Sequence, residues 1–205
     1  MILLLRVIML IENTDSKTVK KTYEWFNEHT TYGKAFHGES FKDFLLSLKG
    51  ISSILDIGTG RGQFCDWAIN NLCSLVYGLD LAIKPDSKFL DLGINFLSGS
   101  SSNIPLSNDT VDITVSFDVL EHIRPEDIKN TITEMDRVTK KYMLHKISYR
   151  AASTRAHRAN PYVSQIGNLH LIQQDRKWWV EKFKEYLPNS TIYQINRCLF
   201  IIKNV

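Results

Sequence analysis

The stretch ILDIGTGRGQF, Ile54 to Phe64, decides how the chain folds. A short apolar run carrying one acid, Asp56, meets glycines at 58, 60 and 62 and then a helical pattern. Residues without a Cβ allow a tight turn and a close backbone approach at the end of a strand. Strand, glycine turn and helix in that order form the opening unit of an α/β sheet. In such sheets ligands sit outside the carboxyl ends of the strands.

Working outward, strand and helix patterns alternate. Apolar runs at 52–57, 74–80, 94–97, 111–117 and 141–148 read as strands. Residues 62–72, 125–138 and 175–187 place apolar side chains on one helical face, and Pro125 suits a first turn. Ahead of them, Val19, Tyr23 and Phe26 give a weak helical signal over 17–29. A firmer helix starts at Ser40, where Ser40 and Asp43 have capping-box spacing and Gly50 supplies the stop. TIYQI and CLFII close the chain as two strands near enough to pair. The pattern predicts a mostly parallel sheet covered on both faces, with an antiparallel addition at its end. No repeat or linker divides the 205 residues. They read as one domain: a helical N-terminal cap (1–50), a core (51–148), a polar lid loop (149–174) and a C-terminal helix with a strand pair (175–205).

Two ligands compete for the glycine turn. A dinucleotide site uses GxGxxG and sets pyrophosphate against a helix N-terminus. Here the spacing is GxGxG and Asp56 precedes it, so a carboxylate stands where it would repel pyrophosphate and suit a cation such as a sulfonium. Asp80, ending the second strand, is placed to accept ribose hydroxyls from either nucleotide.

DIGTGRG, the strand-end Asp80 and the segment NIPLSNDTVDITVSFDVLEHI together resemble class I S-adenosylmethionine-dependent methyltransferases of the type 11 or 12 group, over roughly residues 50–150. The resemblance implies a Rossmann-like seven-stranded sheet with an antiparallel last strand, and S-adenosyl-L-methionine as cofactor. Carried over by position, Asp56, Gly58 and Gly60 would line the methionine end. Asp80 would hold the ribose, and Leu81 would flank the adenine. Ser100 and Ser101 would meet the adenine edge, and the Phe117 backbone would face the methionyl amine. Relatives usually have an acid where this chain has Ser100, which leaves a weaker acceptor there.

Methyl transfer to a hydroxyl needs alignment and a proton acceptor. The candidates are Asp118 and His122 just after strand four, His145 within strand five and His170 in the lid. For His122 a structural role weighs more than a catalytic one, and His145 serves equally as a buried hydrogen-bonded core residue. Asp118, Glu121 and His122 with a later histidine also form a metal reading. It resembles the ExxEH pattern of methyltransferases that modify small-RNA ends, but DVLEH also occurs widely without a metal, and no metal is expected here.

Residues 137–158 hold seven Lys or Arg and no Asp or Glu. Arg150, Arg155 and Arg158 suit a phosphate or an anionic sugar, Tyr149, Tyr162 and Trp178 offer ring surfaces, Trp179 could do so but suits the core better, and Tyr32 and His37 are placed to close over the cofactor. A net charge of +3 does not by itself call for nucleic acid. Cys65, Cys73 and Cys198 have no ligand or disulfide spacing, which points to free thiols in the cytoplasm. Residues 1–12 are too few to span a bilayer and lack a cleavage site. They are either an extra docked element or translation upstream of Met9. The expected activity is O-methylation of a sugar, glycan or other small-molecule hydroxyl. The alternatives are an RNA methyltransferase and an inactive cofactor-binding partner subunit.

Overall fold

The computed structural model describes residues 16–152 and 159–204. Its strands are β1 (Ser53–Ile57), β2 (Leu75–Asp80), β3 (Asn95–Ser98), β4 (Val111–Phe117), β5 (Thr139–Lys146), β6 (Ser190–Ile195) and β7 (Cys198–Lys203). They form one seven-stranded sheet in the order β3-β2-β1-β4-β5-β7-β6. The first five are parallel, and β7 inserts antiparallel between β5 and β6. Every residue of β1 and β4 is buried, as expected for central strands covered on both faces.

Alternation sorts the core into two layers. Leu55 and Ile57 pack with Leu120, Ile132, Met135, Trp179 and Phe183. Ile54 and Val76 pack on the other face with Leu45, Phe64 and Ala68. The helices are α1 (Ser16–His29), α2 (Lys42–Ser47), α3 (Gln63–Asn71), α4 (Ile128–Val138), α5 (Val163–Ile166) and α6 (Arg176–Tyr186). In α4, Ile128, Ile132 and Met135 follow helical spacing onto the sheet. The Asp175 side chain caps α6 by accepting from the Trp178 amide at 2.9 Å.

The expected capping box at Ser40 does not form. Residues Glu39–Phe41 make a 3-10 turn, and α2 starts after Phe41 without a side-chain cap. Ser40 therefore lies inside a turn rather than at the extended position from which a cap bonds. The buried Phe41, stacked on Phe117 with ring centroids 6.2 Å apart, anchors the start instead. The lid expected as polar loop holds α5 and buries Ile166, Leu169, Leu171 and Ile172. Ile166, Leu169 and Leu171 meet Val19 and Phe26 of α1, so segments from both ends of the chain pack together.

Candidate active site

The carboxyl ends of β1, β2, β4 and β5 open into a cleft of about 1200 Å³, which α1, Tyr149, Arg150 and His170 line from the other side. At its floor the Gly58 and Thr59 amides donate to the Leu79 carbonyl at 2.8 and 3.1 Å, stitching the turn after β1 to β2. Gly58 and Gly60 have φ of +70° and +56°. A Cβ at Gly58 would lie 2.5 Å from Val119, and one at Gly60 would lie 2.8 Å from the Gly33 carbonyl oxygen. These glycines admit close approach by the protein's own chain, whereas the sequence suggested approach by a ligand. The next residue, Arg61, donates to the Asn27, Thr30 and Tyr32 carbonyls at 2.8, 3.1 and 3.1 Å and so binds the turn to the end of α1.

Asp80 accepts the Ala82 and Ile83 amides on Oδ1 and the Gly60 amide on Oδ2. A carboxylate has about four acceptor positions, so Oδ2 retains capacity for a hydroxyl. Burial raises the Asp80 carboxyl, and these backbone bonds oppose the rise. Asp56 is buried beside Cys65, whose thiol lies 3.9 Å from its Oδ2. Burial lifts its carboxyl to about 8, the Thr59 and Cys65 side chains oppose that, and the Asp80 charge adds to it. A cation entering here would favour the ionised form of both acids. Leu81, Ser100, Ser101 and Phe117 line the same cleft. Ser100 Oγ is 2.8 Å from Ser102 Oγ within its own turn, and Ser101 Oγ is 3.4 Å from Thr131 Oγ1. The Phe117 side chain belongs to the core, against Phe41 and Phe64. Volume, strand-end acids and an open acceptor position fit S-adenosylmethionine.

Beyond β4 the chain turns through Asp118, which has φ of +56°, into the 3-10 turn Leu120–His122. Asp118 Oδ2 is 2.6 Å from Lys146 Nζ and 3.2 Å from His37 Nδ1. Burial would raise this carboxyl, but bonds from His37 and Lys146 outweigh it and hold the group below the usual range. A carboxylate so paired is a poor base, which corrects the expectation for Asp118. Glu121 is fully buried. Its Oε1 accepts the Ser148 amide at 3.0 Å, and its Oε2 has no hydrogen-bond partner among the described residues. Burial lifts this carboxyl to about 8, with the Asp118 charge adding and the Ser148 amide opposing. His122 Nδ1 lies 2.8 Å from both the Leu169 carbonyl and the Tyr23 hydroxyl. The His122 and His170 rings meet edge to face, 4.6 Å between centroids.

His145 is placed elsewhere. It is fully buried outside the cleft, bonds Ser116 at 2.9 Å and stacks on Phe183. Burial alone lowers its imidazole to about 3. Its place does not serve a base, and of its two open readings the core residue is the one that fits. The metal reading that the sequence disfavoured is redrawn: among the described residues Glu121, His122 and His170 bring ligand atoms within 4.8 Å of one another, while Asp118 is absent from the group.

Tyr32, His37 and Arg150 line the cleft. Arg155 and Arg158 lie outside the described residues. Of the proposed ring surfaces, Tyr149 reaches the cleft, while Trp179 fills the core. Sequence reading missed Tyr23, Arg176 and Arg197 as cleft residues. Arg197 sits in the turn between β6 and β7. It reaches the site because β7 lies beside β5, a pairing no local pattern announces.

Residues 55–142 match a family model described as a methyltransferase domain. No protein of curated function matches the sequence significantly. Among solved structures the chain is similar to a Burkholderia thailandensis 1,6-didemethyltoxoflavin-N1-methyltransferase with bound 1,6-didemethyltoxoflavin and S-adenosylhomocysteine. That match has 11% identity and a TM-score of 0.69, and covers 93% of this chain and 89% of that one. It is also similar to a structure of the Haloferax volcanii Trm112 methyltransferase activator in complex with a methyltransferase (15% identity, 86% of this chain, 78% of that one, TM-score 0.61). A third likeness is to Haemonchus contortus phosphoethanolamine N-methyltransferase 2, with 16% identity and a TM-score of 0.56, over 90% of this chain and 45% of that one. At these identities the likenesses carry the fold, and the family match carries the domain type. Residues 55–142 form a methyltransferase domain, set in a sheet with the fold of class I S-adenosylmethionine-dependent methyltransferases.

Proposed function

We propose that this methyltransferase methylates a hydroxyl of a small anionic acceptor, a phosphorylated sugar or glycan building block. The observation that carries this reading is the convergence of Arg150, Arg176 and Arg197 on the cleft wall. Among the described residues none of the three is ion-paired to a carboxylate, whereas Arg124 in the same cleft is paired to Glu126 and Asp127. Guanidinium forks without a protein carboxylate suit phosphate or carboxylate oxygens. Tyr149, with Arg176 5.7 Å from its ring centre, offers a flat wall for a sugar ring.

Asp56, Gly58, Gly60, Asp80, Leu81, Ser100 and Ser101 would hold the cofactor, together with the Phe117 backbone. When bound, S-adenosylmethionine supplies an electrophilic methyl group, and the electron pair of the broken bond stays on sulfur. The chain aligns the acceptor oxygen with that methyl, and the hydroxyl proton leaves on the side of the Glu121–His122–His170 cluster. All three line the cleft, as the arginines do. The three cysteines are free thiols, which supports the cytoplasm as the place of action. No described helix is long and apolar enough to cross a membrane.

The test supplies methyl-labelled S-adenosylmethionine with pooled sugar phosphates and nucleotide sugars, pooled neutral sugars, and pooled RNA. Label is expected in the phosphorylated pool. The doubly substituted Arg150→Ala/Arg176→Ala protein should lose at least tenfold in kcat/KM while keeping its affinity for S-adenosylhomocysteine. Label confined to RNA would replace this reading with the nucleic-acid one. S-adenosylhomocysteine binding without transfer to any pool would point to a partner subunit.

A further inference from the structure

We propose that Glu121, His122 and His170 form a binding site for a divalent transition-metal ion on the acceptor side of the cleft. The first observation is their assembly. Glu121 and His122 come from the 3-10 turn after β4, and His170 comes from the segment after α5, yet their ligating atoms all fall within 4.8 Å. Metal bonds of roughly 2.1 Å put neighbouring ligands about 3–4 Å apart, so small side-chain adjustments close the trio on one ion.

The second observation is a buried orphan. Glu121 has no solvent exposure, and its Oε2 has no hydrogen-bond partner among the described residues. Burying an unpaired carboxylate oxygen is costly, and such groups are kept where they meet a partner the apoprotein lacks. Its other oxygen is fixed by the Ser148 amide, which holds the carboxylate in place.

The third observation is what each ring meets. His122 Nδ1 lies 2.8 Å from both the Leu169 carbonyl and the Tyr23 hydroxyl, and His170 Nδ1 faces the Arg150 carbonyl. A carbonyl only accepts, so the tautomer that donates to it through Nδ1 is the one that ligates through Nε2. A backbone acceptor at one ring nitrogen is the usual outer support of a histidine that ligates through the other. Further bonds brace the support: the Ile172 amide donates to the Glu121 carbonyl, and Asn168 Oδ1 accepts the Ala152 and His170 amides.

Two imidazoles and one carboxylate suit Mn²⁺, Fe²⁺, Co²⁺ or Zn²⁺ rather than Mg²⁺ or Ca²⁺, which favour oxygen ligands alone. Three protein ligands leave positions open for acceptor oxygens. An ion there would hold the acceptor hydroxyl and lower its pKa, so that water takes the proton at neutral pH. This use of the site rests on the O-methylation reading; the binding of the ion does not.

The experiment is equilibrium dialysis of tag-free, chelator-stripped full-length protein against Mn²⁺ and Zn²⁺, with S-adenosylhomocysteine binding measured in parallel. One ion per chain is expected. His170→Ala and Glu121→Gln should each weaken binding of the ion at least tenfold, His29→Ala should leave it unchanged, and S-adenosylhomocysteine affinity should persist in all. Glu121→Gln sits in a buried place and tests the folded chain only where its melting curve stays cooperative; the partly exposed His170 supplies the independent variant. Absence of Mn²⁺ and Zn²⁺ binding, or equal binding by wild type and His170→Ala, overturns the proposal. Retained metal binding with no S-adenosylhomocysteine binding would instead count against the cofactor assignment.

Discussion

Gly60 shows how one residue can be legible in type while part of its setting is not. The spacing of the glycines was enough to locate the turn. What presses on Gly60, the Gly33 carbonyl, belongs to a loop 27 positions upstream that no motif connects to it. Gly60→Ala combines a left-handed backbone with a 2.8 Å approach to backbone oxygen. It should cost about 2 kcal/mol or more in denaturant unfolding, and weaken S-adenosylhomocysteine at least tenfold by calorimetry. His145 is the complementary case. Its residue type suggested proton transfer, and only the register of β5 against β4 and β7 places it in the core. The unfolded chain takes up a proton near pH 6.5, while the folded chain refuses it until about 3. Stability is therefore whole above pH 6.5 and falls as the pH drops toward 3. The slope is at most roughly 1.4 kcal/mol per pH unit. Denaturant melts across this range should show a steeper slope in wild type than in His145→Gln.

At the scale of elements, the sheet was readable wherever burial made a strand continuously apolar, as in β1 and β4. The boundaries that slipped did so where tertiary contacts chose them. β5 begins at Thr139, two residues earlier than its apolar run, because Thr139 is buried and its hydroxyl bonds Thr114 and the Met135 carbonyl. The α2 start followed Phe41 rather than Ser40. α6, by contrast, obeyed its local signal, and its cap is open to a direct test. Asp175→Ala removes the acceptor for the Trp178 amide and should cost about 1 kcal/mol in thermal or denaturant melts. Asp175→Asn, which keeps the side-chain oxygen, should recover most of it.

At the scale of the molecule, the cleft residues proposed for the cofactor were legible because they cluster in sequence just after strands. Those proposed for the acceptor were less so, because they come from β5, the segment after α5 and the β6–β7 turn, which meet only through topology. Arg61 ties these scales together. It leaves the glycine turn and holds three carbonyls at the end of α1, where a cation also complements the helix dipole. Any ligand that stiffens the turn thus stiffens the roof, and by thermodynamic reciprocity a secured roof retains the ligand. Trypsin should cut at Lys17, Lys20 and Lys21 more slowly when S-adenosylhomocysteine is bound, and Arg61→Ala should erase that protection. The same tie would make the spent cofactor and the roof leave in concert, so Arg61→Ala should speed release of S-adenosylhomocysteine in stopped-flow displacement.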